Sequence, residues 1–178
     1  MHIVSGCKIL CNNKYLFRHN QVGTYLHWQI LKNRGAKVCQ SWLKHKPQDI
    51  VIIGATTIYW DQDLVTDKNI KCNRPDITIW DSKARTAQLI DVSIPMDFNV
   101  VMKTADKLTK YRDLEIELQK CWNLKQVDTI PIIIGALGTV CDSIHLHMKA
   151  LSEEAKVRVI QKTALLGTAH ILRNFLKK

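Results

Sequence analysis

The sequence predicts an α/β domain in which a mixed sheet of about four strands is flanked by helices. Three observations predict it. Residues 102–124 place Leu108, Tyr111, Leu114, Glu115, Leu118 and Trp122 at intervals of three and four, which is one face of a helix. Residues 74–80 and 87–95 are two short apolar segments joined by a polar turn, the pattern of a hairpin. Residues 130–136 form a continuous apolar run of the kind a buried strand requires.

In chain order, the first fifteen residues are poor in pattern and rich in Cys, Asn and Lys. From Arg18 the spacing of Val22, Tyr25, Leu26, Gln29, Ile30 and Leu31 predicts a helix, and Asn33-Arg34-Gly35 stops it. Residues 36–42 are expected as a strand and residues 44–48, with Pro47, as a loop. The β-branched stretch 50–60, interrupted by Gly54, is expected to continue as a strand toward Val65. Asp67-Lys68-Asn69 is a turn, followed by the two aspartate-bearing strands. Helical pattern resumes near Ser143 in two pieces, the second starting at Ser152-Glu153-Glu154. The order is helix, three strands, helix, strand and terminal helices.

A chain of 178 residues that is 46% hydrophobic can bury a core without covalent staples. The six cysteines form no tight framework and read as reduced intracellular thiols. A leader and a bilayer-spanning run are both missing from the pattern, so a membrane partner is not expected. The net charge of +10 is unevenly spread: residues 1–50 carry +7, residues 51–150 carry −1 and residues 151–178 carry +4. A near-neutral centre between basic ends suits a metal site set in a polyanion-binding surface.

The candidate chemistry lies in that centre. Asp91 interrupts Leu89-Ile90-Asp91-Val92, and a carboxylate inside an apolar strand must find a cation, a donor or a metal. Asp76 sits at the head of the other strand. Two carboxylates on adjacent strands can share a divalent cation, and an ammonium nearby can steady a developing anion. The following helix supplies Lys103, Lys107 and Lys110. On a regular helix Lys107 falls about 40° from the centre of the apolar stripe and Lys110 about 100° away. Lys107 is therefore expected to face the sheet and Lys110 to meet phosphate. Tyr111, one turn beyond Lys107, is a core residue or a further catalytic group. Asp61 and Asp63 share one face of their segment and are expected in solvent. His145 and His147 are expected at the surface.

These motifs carry a resemblance. Pro75-Asp76, then Asp91-Val92-Ser93, then Lys107-Leu108-Thr109-Lys110-Tyr111 resembles the PD-(D/E)xK nuclease pattern in its variant with a migrated lysine. Together with Arg18-His19-Asn20 and the tail Ala164-Leu165-Leu166-Gly167-Thr168-Ala169-His170, it is similar to the restriction-like endonuclease domain at the C-terminus of non-LTR (LINE-type) retrotransposon polyproteins. The resemblance implies a restriction-endonuclease-like αβββαβ core with extra C-terminal helices over 16–178. It implies an enzyme that nicks target DNA for target-primed reverse transcription, in the nucleus or in the cytoplasm before import.

By position, Asp76, Asp91, Lys107, Lys110 and Tyr111 would be the catalytic set. Mg²⁺ or Mn²⁺ would be held by Asp76, Asp91 and the Val92 carbonyl. Arg18, Asn20, Lys110 and Arg112 would contact nucleic acid, with DNA as the partner and retrotransposon RNA reached through the parent polyprotein. Ser93 stands where the general motif has a strand lysine. His2 and Cys7 match half of a zinc knuckle, so residues 1–15 would be its remnant, starting at an internal methionine. Without the Cys-x-x-Cys half, Zn²⁺ is not expected, and Cys11 is a weak third ligand. The alternative reading is a remnant that binds nucleic acid through its basic ends without cutting.

Overall fold

A computed structural model describes residues 2–7 and 10–177. The chain is mixed α/β. Its elements in order are α1 (His2–Ser5), α2 (Leu16–Asn33), β1 (Ile50–Ile53), β2 (Thr56–Trp60), β3 (Ile77–Asp81), β4 (Thr86–Ser93), α3 (Val100–Lys110), α4 (Arg112–Cys121), β5 (Gln126–Ile133), α5 (Ile144–Leu151) and α6 (Val157–Leu176). One sheet runs β1-β2-β3-β4-β5, antiparallel through β4, with β5 added parallel to β4. The helical α3–α4 crossover is what a parallel β4–β5 neighbour requires.

Alternation along the strands divides the interior in two. Ile58, Ile77, Ile79, Ile90, Val92, Ile130 and Ile132 face α2, α5 and α6. Ala87, Leu89 and Val127 face the other way and are covered by Tyr111, Leu114 and Leu118. Covering both faces leaves β4 buried without alternation from Leu89 to Val92, and β5 from Thr129 to Ile133.

Several elements differ from expectation. The sheet has five strands, because residues 50–60 fold back as a hairpin and not as one strand. Gly54 turns it, at φ +58, a conformation that suits glycine at the first central position of a tight hairpin. Residues 61–76 hold no strand. Residues 36–42 form no strand either; a short 3₁₀ turn, Trp42–Lys44, begins at the last of them. The helix expected over 102–124 is two helices broken at Tyr111, whose φ −98 and ψ 3 leave the helical region. Leu108 consequently faces solvent, 46% exposed, while Tyr111, Leu114 and Leu118 are fully buried.

Candidate active site

Asp76 precedes β3 by one residue. Its carbonyl accepts the Asp61 N–H at 2.8 Å, which ties the strand head to the segment after β2. The β3–β4 register ends with Ile77 opposite Ile90, and Asp76 and Asp91 are the next residue along each chain. Asp91, in phase with Ala87 and Leu89, faces the α3–α4 side, while Asp76, just outside the paired strand, reaches His19 of α2. Val92 adds a further tie: its N–H donates to Asp76 Oδ2 at 2.6 Å.

Asp91 is 3% exposed and is the focus of the cluster. Lys107 Nζ stands 2.5 Å from its Oδ2, and Lys110 Nζ is 3.1 Å from its Oδ1. The Tyr111 hydroxyl donates to the same Oδ1, lies 2.7 Å from Lys110 Nζ and 3.3 Å from the Arg74 carbonyl. Oδ2 is buried without a well-directed hydrogen bond, so its partner is the Lys107 ion pair and not a hydrogen bond of good angle. Burial pushes the Asp91 carboxyl up, but Lys107, the Tyr111 hydroxyl and Lys110 outweigh it and hold it below its ordinary value. The Tyr111 phenol moves the other way, raised by burial and by the Asp91 charge.

The break at Tyr111 brings both lysines to one carboxylate. Lys107 and Lys110 are three residues apart at the end of α3, on one side of the helix. Tyr111 drops its ring into the core, and the Lys110 ammonium folds back over that ring, 4.3 Å from its centre, to reach Asp91. The expectation that Lys110 points away from the sheet is corrected by this geometry. Lys103 pairs with Asp106 at 2.8 Å.

The remaining candidates are dispersed. Arg18 is not on an open DNA path: it is 2% exposed and donates to the Val4 carbonyl at 2.8 Å and Thr168 Oγ1 at 2.6 Å. It joins α1, α2 and α6. Burial lowers its guanidinium to about 10, against the pull of Tyr15 and Asp97. Asn20 is exposed beside Lys14 and Phe17. Arg112 projects into solvent and pairs with Glu115 at 3.1 Å. Asp61 and Asp63 are exposed and pair with Arg74, at 2.8 and 3.9 Å. His145 is exposed, whereas His147 is half-buried, its Nδ1 2.9 Å from the Pro131 carbonyl. The side chains of His2 and Cys11 lie outside the described residues. The Cys7 N–H donates to the Tyr15 hydroxyl at 3.1 Å.

His19 is a site residue the sequence reading passed over. Its Nε2 lies 3.2 Å from Asp76 Oδ1. Burial lowers its pKa, but the bond to Asp76 and the charges of Asp76 and Asp91 prevail and raise it. The available signal was its phase, one turn before Val22 and so at the edge of the apolar face of α2.

The donor set suits a hard divalent cation, since both carboxylates offer oxygen only. The two ammonium groups on Asp91 provide positive charge where such a cation would sit, so binding requires Lys107 to leave Oδ2. Among the described residues there is no group of three or more His, Cys, Asp or Glu arranged to hold a metal. The shell would rest on two carboxylates, main-chain oxygen and water. No helix among the described residues is long and apolar enough to cross a membrane. Compared with known proteins, the chain matches no family model and no curated sequence.

Proposed function

We propose that this chain is a divalent-cation-dependent DNA endonuclease of the restriction-like type, serving a non-LTR retrotransposon by nicking its target. The observation that carries the reading is Asp76 tied through its Oδ2 to the N–H of Val92, the residue after Asp91, with two helix lysines turned onto Asp91. The β1–β5 order with a helical crossover before a parallel last strand is in keeping with a restriction-endonuclease-like core.

In this reading Asp76 and Asp91 hold Mg²⁺ or Mn²⁺, with the Val92 carbonyl as a further oxygen. The cation supplies a lowered water pKa and charge neutralisation at phosphorus. Lys107, released from Asp91 Oδ2, meets the charge that develops on the phosphoryl oxygens. Tyr111 and Lys110 keep Asp91 in its rotamer, and His19 does the same for Asp76. Water adds to phosphorus, the P–O3′ bond breaks, and the leaving oxygen takes a proton to become the primer hydroxyl. Lys14, Lys110, Arg112 and Asn20 contact the backbone without reading bases.

Supercoiled plasmid with Mg²⁺ or Mn²⁺ tests the proposal. The chain converts it to open circle, and Asp91→Asn, which keeps the shape and removes the charge, lowers the rate by at least about 100-fold. Nicking by Asp91→Asn at the wild-type rate would sink the assignment. The second reading, a binder that does not cut, is favoured by one observation: both lysines already neutralise Asp91. In that case DNA is bound and plasmid stays supercoiled with either metal.

A further inference from the structure

On the side of α2 away from His19 lies an open groove of about 880 Å³, walled by α2, the turn at Trp42–Lys44 and α6. Phe17 and Leu166 border it at 56% and 58% exposure, and Leu43 at 71%. Arg158 and Lys162, one helical turn apart on α6, edge the same groove. Neither α2 nor α6 contains an Asp or Glu, and residues 34–48 contain none. The groove is therefore apolar within and bordered by positive charge alone.

Its floor is set by a close helix contact. A Cβ on Gly167 would come 2.5 Å from Arg18 Cγ, so only glycine lets α6 lie this near α2. Two aromatic rings at the groove each have one ring neighbour. Trp42 meets Tyr25 edgewise at 5.5 Å, and Phe17 is tilted against His170 at 6.4 Å. Leu43 and Leu166, 71% and 58% exposed, add aliphatic surface, which suits apolar side chains of a protein.

We propose that this groove docks an amphipathic helix of a partner protein, with aliphatic residues on its buried face and Asp or Glu along its flanks. Apolar anchors at i, i+3 or i+4, and i+7 would enter between Leu43 and Leu166. Flanking carboxylates would meet Arg158 and Lys162 and set the orientation. The groove is separate from the Asp76–Asp91 cluster, so the inference does not rest on nuclease activity.

The test uses a fluorescein-labelled peptide of about 18 residues, built from Leu, Ala and Glu with leucines on one face, and an isomer of equal composition with the leucines dispersed. Binding to the full chain is followed by anisotropy. The patterned peptide binds about tenfold or more tightly than its isomer, and Leu43→Glu and Lys162→Glu each weaken it about tenfold. Both side chains are exposed, and circular dichroism checks that the variants stay folded. Equal binding of the isomers, no binding, or indifference to both substitutions overturns the proposal. So does competitive displacement by an oligo-dT strand, which would assign the groove to nucleic acid. Sedimentation showing a dimer that Leu43→Glu dissociates would assign it to a second copy of the chain.

Discussion

His27 and His45 form a residue-scale feature unrelated to the candidate site. His27 Nδ1 and His45 Nε2 are 2.8 Å apart, and His27 is fully buried against the edge of Trp60. Burial, and then the His45 charge, depress the His27 imidazole from 6.5 to about 4. A histidine whose folded pKa lies below its unfolded value favours folding while it is neutral. Stability therefore begins to fall as pH drops through 6.5, where the unfolded chain takes up the proton, and this loss ends below pH 4, where both states hold it. The loss is about 3 kcal/mol, and His27→Gln removes most of that slope in urea denaturation measured across this pH range. His27 also shows what the sequence left illegible. It lies on a predicted helix, but its partner His45 comes from a stretch with no periodicity, so the pair exists only in three dimensions. Arg18 is the converse case: the sequence read it as a surface base, and its partners Val4 and Thr168 come from opposite ends of the chain.

Helix α3 is the element that decides how the site is built. Helical structure over 102–124 was legible, because Leu114 and Leu118 keep the helical period through α4. The hairpin that carries Asp76 and Asp91 was also legible, as it follows from two apolar runs and a turn. The break at Tyr111 was not, since Tyr111 fits the helical stripe and its tie to Asp91 exists only in three dimensions. That break changes the expectation for the lysines. Each of Lys107→Ala and Lys110→Ala should slow single-turnover nicking about 10²-fold, and the double variant should cost less than the product, because the two ammonium groups share one carboxylate partner, Asp91. Lys103→Ala, whose partner is Asp106, should cut normally. Full activity of Lys110→Ala would restore the reading in which Lys110 only contacts phosphate.

At the scale of the whole molecule, charge and chemistry occupy different parts of the chain. The carboxylates of the candidate site belong to the central stretch with net −1, and the excess of bases belongs to the two ends. Filter binding to duplex DNA over a salt series should accordingly give a log–log slope of about −0.9 for each phosphate neutralised. Arg112→Ala should flatten it by about one unit with little loss of cutting at low salt; a slope unchanged by salt would remove the electrostatic footprint. The central claim, that Asp76 and Asp91 together hold a divalent cation, is tested most directly by electron paramagnetic resonance of Mn²⁺ titrated into the chain with a duplex oligonucleotide present. The expected result is that wild type sequesters Mn²⁺ and the Asp76→Asn/Asp91→Asn double variant leaves it free in solution while still binding the duplex. Equal sequestration by the two proteins would contradict the claim.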